Sequence, residues 1–378
     1  MGIVTHDHSQ HEGPATMPLN HYITLGKSGL KVSPFCLGAM TFGQDWGAWG
    51  STPEDSVAII DRYLDGGGNF IDTANAYTRG HSEAILGDHL SKDKGKRRRT
   101  VLATKFFGCM EKGDPNAGGG GRKNIIWSCE ESLRRLKTDY IDLYWLHCWD
   151  YHVPIEETLR AMDDLVGAGK VRYIGFSDVP AWKVTQAQMI ANFRGWAPIT
   201  ALQIEYSLLE RTVEGELMPM ARELGIGVTP WSPLKGGALS GKYRRDNRGE
   251  IKPGRGPWVE GTLSQDKTYD VVDVLIAIAK EINSTPARVA LNWVQRQPGV
   301  TSTIIGARTM SQLEDNLAAL DIQLNEDQLK RLAEVSEPKL NFPHGFLKNS
   351  PRFRNPSVMV NGELADDNPI APKPGEGW

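Results

Sequence analysis

Long apolar runs are missing. No stretch of the 378 residues approaches the roughly 18 consecutive apolar residues of a membrane-spanning helix, and the N-terminus lacks the apolar core of a signal peptide. A marked excess of either charge is missing too. Lys and Arg number 43 against 46 Asp and Glu, for a net charge of -3, and the one basic run, Lys96 to Arg99, reads as a solvated turn before a strand. That leaves no broad electrostatic footprint for nucleic acid or an anionic membrane. Cysteine is scarce. Cys36, Cys109, Cys129 and Cys148 have no paired C-x-x-C spacing, which argues against a zinc site and a disulfide framework and for free, buried thiols. What remains is a soluble, cytoplasmic protein, with oligomerisation open.

What is present is a rhythm. Residues 1–20 carry His6, His8 and His11 without apolar periodicity and read as a flexible tail with no fixed metal geometry. From Tyr22 to Ser33 two short alternating runs flank a Gly-containing turn, a hairpin signal. Apolar runs then alternate with helix-like segments: Phe35 to Gly38, Asn69 to Asp72, Val101 to Lys105, Ile141 to His147, Val171 to Ser177, Ala201 to Glu205, Gly227 to Trp231 and Thr303 to Gly306. Between them, Pro53 to Asp65 sets Val57, Ile60, Tyr63 and Leu64 on one face, with Thr52 as cap and Pro53 in the first turn. Eight strands alternating with helices predict an α/β protein, a (β/α)8 barrel, with a doubly wound open sheet as the architectural rival.

No repeat or linker divides the chain, so one barrel domain is expected over 21–340, followed by an irregular tail over 341–378 that Phe342, Phe346, Leu347 and Phe353 can dock. Two long loops are expected, Cys109 to Asn124 and Lys235 to Asp266. The run Gly118 to Gly121 in the first lacks the Lys-Ser or Lys-Thr of a phosphate loop and reads as mobile.

Barrel active sites lie at the C-terminal ends of the strands, so polar residues closing apolar runs are candidates for chemistry. Asp72, Lys105 and His147 each close such a run, and Tyr77 follows Asp72 closely enough to reach the same mouth. Singly, each has an ordinary use: a cap, a surface cation, a core imidazole, a packing ring. Together they place a buried charge pair beside a proton donor. A phenol near pKa 10 is a poor acid at neutral pH unless a cation stabilises its phenolate; Lys105 can supply that charge and Asp72 can hold the ammonium.

These segments, Phe70 to Tyr77, Ala103-Thr104-Lys105 and Leu143 to Asp150, resemble the catalytic segments of the aldo-keto reductase superfamily, over about residues 22 to 340. The long loops are closer to the branch that includes bacterial aldo/keto reductases and potassium-channel β subunits. The resemblance implies a barrel plugged by an N-terminal hairpin, with Tyr77 as general acid, Lys105 and Asp72 tuning it, and His147 over the carbonyl. None of these side chains can deliver hydride, so a nicotinamide cofactor is implied. By the same resemblance Ala39, Met40, Asp72, Ser177, Asp178 and Gln203 lie along the nicotinamide half, with Tyr206 as a platform for the ring. Asp178 departs from the usual Asn and can accept but not donate unless protonated. Trp231, Ser232, Pro233, Leu234, Gly236 and Lys242 match the pyrophosphate loop. Gly306, Arg308 and Gln312 match the ribose and 2'-phosphate site, and Asp315 and Asn316 the adenine contacts, so Arg308 favours NADPH. Trp46, Trp49, Phe106 and Trp149 follow strand ends as candidate substrate-pocket residues.

The function expected is reversible, NADPH-dependent reduction of aldehydes or ketones to alcohols. The alternative is a cofactor-bound regulatory subunit like the channel β subunits, since a shared fold is weak support for a shared function. A metal-dependent hydrolase fails for want of ligands, because His147 is the only His that ends a strand.

Overall fold

The computed structural model describes residues 17–250, 256–348, 350–372 and 375–376. His6, His8 and His11 lie outside the described residues. Of the expected N-terminal tail, residues 17–20 are described, and they meet the body: Met17 N donates to Leu320 O at 3.3 Å and Leu19 is buried.

The hairpin forms from β1 (Ile23–Thr24) and β2 (Lys31–Val32), antiparallel. Eight strands follow: β3 (Phe35–Gly38), β4 (Phe70–Asp72), β5 (Val101–Phe106), β6 (Ile141–Leu146), β7 (Val171–Ser177), β8 (Ile199–Glu205), β9 (Gly227–Trp231) and β10 (Thr303–Gly306). They are parallel and ordered β10-β3-β4-β5-β6-β7-β8-β9. A parallel bridge between Val228 and Val300, with Thr301 N donating to Val228 O at 2.8 Å, brings the two ends of the sheet together just before β10. This is the expected (β/α)8 barrel, and the open-sheet alternative falls away.

Alternation along each strand divides the side chains between two cores. Cys36, Phe70, Ala103, Leu143, Trp145 and Ala201 fill the barrel interior, joined by Leu25 and Val32 of the hairpin, which thereby plugs one end. Their neighbours, among them Leu37, Ile71, Leu102, Tyr144 and Leu202, pack outward under the helices. Helix Pro53–Asp65 forms as expected, with Thr52 Oγ1 accepting from Asp55 N at 3.0 Å. Its buried face is Ser56, Ile59, Ile60 and Tyr63, rotated from the expected stripe. Ser56 sits inside because its hydroxyl is satisfied by Thr52 O and Ser51 Oγ.

The first long loop ends at residue 121, where helix Arg122–Leu136 begins. Its glycines are pinned, not loose: Gly120 N donates to Asp150 Oδ2, Thr158 Oγ1 to Gly120 O and Asn124 Nδ2 to Gly119 O, each at 2.8 Å. Gly119 has φ +80°, and a Cβ there would meet Asp150 Oδ2 at 2.5 Å. The second loop holds helix Gly256–Leu263 and a small core of its own, Ala238, Tyr243, Val259 and Leu263. Beyond residue 340 two short helices, His344–Leu347 and Ser350–Arg354, precede a hairpin of β11 (Met359–Val360) and β12 (Glu363–Leu364). Phe342, Phe346, Leu347 and Phe353, which could dock this segment or leave it free, stay exposed, and Phe346 stacks on Phe353 within it.

Among the described residues, no helix is long and apolar enough to cross a membrane. Cys36 and Cys129 are buried, Cys148 is half-buried and Cys109 exposed, so burial holds for only part of the thiols.

Candidate active site

Parity decides what reaches the mouth. On β4, β5 and β6, Asp72, Lys105 and His147 fall in step with the inward residues Phe70, Ala103 and Trp145, so all three turn toward the barrel axis. Tyr77 arrives from the loop after β4 and opens a short turn, Tyr77–Gly80, in which Thr78 and Arg79 take left-handed backbone angles.

The four groups meet. Lys105, fully enclosed, donates to Asp72 Oδ2, to Thr73 O at 2.9 Å and to Tyr77 Oη at 3.1 Å, which uses all three ammonium hydrogens. Gln203 Nε2 donates to the other Asp72 oxygen at 3.2 Å. Tyr77 Oη lies 3.5 Å from His147 Nε2, and the two rings meet edge to face. Burial works against the Lys105 charge, but Asp72 and Tyr77 outweigh it and hold the ammonium above its ordinary value. Burial likewise raises the Tyr77 phenol, with Lys105 pulling the other way, so the hydroxyl is protonated at neutral pH. Burial and then the Lys105 charge push His147 down to about 3, leaving a neutral imidazole. Because Tyr77 Oη accepts from Lys105, its own proton is free to point elsewhere.

Around this cluster lie the other expected site residues. Ala39 N is bonded to Asp72 O at 2.8 Å, and Met40 beside it is half-buried. Ser177 is buried at the end of β7, and Asp178, with φ +50°, accepts from Trp231 Nε1 at 3.0 Å. Burial raises the Asp178 carboxyl to about 6, against the Trp231 hydrogen bond. Ser232 Oγ accepts from Gly236 N at 3.2 Å, Pro233 is buried and Leu234 half-buried. Lys242 lies over the Tyr243 ring, its Nζ 5.0 Å from the centroid. Arg308 N donates to Gln312 Oε1 at 2.9 Å, after an exposed Gly306.

Two expected adenine contacts are engaged within the protein: Asp315 pairs with Arg288 at 2.8 Å and Asn316 Nδ2 donates to Gly306 O at 3.1 Å. Tyr206 does not face the mouth. It is 2% exposed, its ring edge-on to Trp293 and its hydroxyl donating to Glu214 at 2.7 Å, whereas Trp231 is only half-buried at the end of β9. Phe106 does not line a pocket at the mouth either: following the inward Lys105 it turns outward, and it packs on Tyr144 with no exposed surface.

Trp46 meets Tyr77 edge-on at 6.3 Å, and Trp49 meets Trp258 of the second long loop at 5.0 Å. Trp149 lies against Tyr151 and lines a cavity of about 360 Å³ with Asp178, Glu205, Leu217 and Trp231. The cavity's lining draws on the loop after β6 and the ends of β7, β8 and β9, with Cys148, next to His147, among it, and none of the four clustered groups lines it. Tyr151, Leu217 and Trp258 were missed by sequence reasoning, since they sit in loops and a helix start, away from strand ends. Among the described residues no cluster of three or more His, Cys, Asp or Glu could hold a metal.

The sequence profile described as the aldo/keto reductase family matches residues 34–337. An aryl-alcohol dehydrogenase of Pestalotiopsis microspora is 34% identical over 95% of this chain and 94% of its own. An oxidoreductase of Bacillus subtilis is 38% identical over 83% and 95%, and a norsolorinic acid reductase of Emericella nidulans 33% identical over 91% and 88%.

Proposed function

The chain belongs to the aldo/keto reductase family and is an oxidoreductase acting on carbonyl compounds, and from that premise we propose that it reduces aromatic aldehydes or ketones reversibly with NADPH, using Tyr77 as proton donor. The observation that carries the proposal is the fully bonded Lys105 ammonium 3.1 Å from Tyr77 Oη. A phenol held protonated by burial beside a fixed cation can give up its proton to an oxygen that is gaining charge, and the cation stabilises the phenolate left behind. His147, neutral, can donate a hydrogen bond to the same oxygen and so orient it. Asp72, itself held by the Gln203 amide, holds Lys105 in place. The single barrel domain over 21–340 is the unit proposed to do this.

The residues fit a dinucleotide. Gly236 and Gly237 have φ +63° and +98°, and a Cβ on Gly237 would come within 3.2 Å of Lys242 Nζ, so bare backbone lies beside an ammonium where a diphosphate would need it. Arg308 and Gln312 at the start of helix Met310–Leu317 would take the ribose phosphate that distinguishes NADPH from NADH, as a guanidinium suits phosphate. Trp231, tied to Asp178, offers its flat face where Tyr206 does not. A reduced nicotinamide supplies hydride, the one thing no side chain here can provide. The names of the relatives in Pestalotiopsis microspora and Emericella nidulans support an aromatic substrate, as do Trp149, Tyr151 and Trp231 around the cavity.

The test follows loss of reduced-nicotinamide absorbance with a panel of aromatic and aliphatic carbonyls, with Tyr77→Phe beside the wild type. Turnover with NADPH over NADH, falling about 10²- to 10⁴-fold in the variant, is expected. Full turnover in Tyr77→Phe sinks the assignment of Tyr77. Tight NADPH binding without turnover on any substrate moves the protein to the regulatory function of the channel β subunits.

A further inference from the structure

The barrel layer beneath the four groups is unevenly filled. In register across the sheet, Lys105 neighbours Trp145, Trp145 neighbours Gly175, Gly175 neighbours Ala201 and Ala201 neighbours Gly227. The indole occupies the space that β7 leaves open with Gly175, while the space at Gly227 is taken by Leu25 and Gly26 of the hairpin. The fit is tight: a Cβ on Gly175 would lie 2.4 Å from Trp145 Cζ3. Trp145 is fully enclosed, and its Nε1 is a buried donor that completes no hydrogen bond of ordinary geometry. Such a donor costs free energy unless something near it gains from the N–H. The neighbour of Trp145 in register is Lys105, whose ammonium is bonded to the Asp72 carboxylate. Burial raises the Asp72 carboxyl; the Lys105 charge opposes this first, then the Gln203 amide and the Trp145 indole.

We propose that Trp145 is a positioning residue, its indole N–H steadying the Asp72 carboxylate from beneath so that Lys105 stays charged and aimed at Tyr77. The inference rests on the assignment of these groups under Proposed function. The groups facing Asp72 are Lys105 from β5, Cys36 from β3 and Tyr77 from the loop after β4, with Asp178 and His147 beyond Lys105. Without the N–H, Asp72 binds its proton more readily, and once neutral it releases Lys105, which then supports Tyr77 less well. Activity is therefore lost on the acid side, at a higher pH than in the wild type.

The experiment compares wild type, Trp145→Phe and a protein carrying benzothienylalanine at position 145, a near-isostere of tryptophan with sulfur in place of the N–H. The expected result is an acid limb of kcat displaced upward by about 0.5 to 1 pH unit in both, the shift that one net hydrogen bond is worth, with NADPH affinity unchanged. The isostere keeps the test alive if the phenylalanine variant fails to fold. Superimposed profiles for wild type and isostere would overturn the proposal, whatever uniform loss of rate a packing defect causes. A second reading needs no cofactor: the indole N–H resonance of Trp145, assigned by its disappearance in Trp145→Phe, should shift on Asp72→Asn, and an unmoved resonance would likewise overturn it. If wild type itself turns over nothing, the functional assignment fails, while the resonance still reports on Trp145 and Asp72.

Discussion

An imidazole that holds no proton at pH 7 has a cost elsewhere on the pH scale. His147 is held down to about 3 by burial and by Lys105, while in the unfolded chain it titrates near its ordinary 6.5. Between those values the unfolded state binds a proton that the folded state refuses, so stability is complete above about pH 6.5 and falls as the pH drops, by at most about 1.4 kcal/mol per unit. Urea unfolding at pH 5 and pH 7 should show a smaller loss for His147→Asn than for the wild type, and parallel losses would refute the buried neutral imidazole. Asp72, Lys105 and His147 were legible in the sequence because each ends an apolar run and the barrel gathers strand ends. Phe106 was misjudged by adjacency where parity would have served, since the residue after an inward Lys105 faces the helices. The Asp315–Arg288 pair joins two different helices, and no spacing announces it.

Strands were the easiest elements to see. Val171–Ser177, Gly227–Trp231 and Thr303–Gly306 fall where the apolar runs place them, because strands covered on both sides need nearly continuous apolar sequence. Loops were harder, as glycine content does not say whether a segment is slack or merely close-packed. In Gly118 to Gly121 it is the second: the missing side chains make room for Asp150, which receives Gly120 N at 2.8 Å and also accepts from His152 N at 2.9 Å. This one carboxylate ties the loop after β5 to the loop after β6, on the face where Tyr77 and His147 meet. Asp150→Ala should raise amide hydrogen exchange over residues 118–124 by an order of magnitude or more while leaving β5 and β6 protected, a local opening that costs global stability little. Unchanged exchange in that loop would show that Thr158 and Asn124 hold it alone.

At the scale of the whole molecule, the barrel and the C-terminal arm differ in what holds them. Helix Glu326–Val335 still belongs to the body, with Leu332 buried, and Lys267 Nζ donates to Glu337 O at 2.6 Å. After residue 340, among the described residues, the ties include a contact of His344 Nε2 with Glu216 at 3.4 Å and an ion pair of Lys348 with Glu337 at 3.5 Å, the latter well exposed on both sides. Exposed ion pairs contribute little. Among the described residues of the arm the large apolar side chains stay substantially exposed, Phe342 at 88% and Leu364 at 66%. Shortening the chain to residues 1–340 should therefore leave the thermal midpoint within about 3 °C, since few contacts of any weight are lost among the described residues. It should also reduce binding of an apolar dye, because the removed segment carries an exposed apolar surface of the kind such dyes favour. A fall of ten degrees or more would mean that the arm is part of the folding unit, and that the boundary proposed at residue 340 is misplaced.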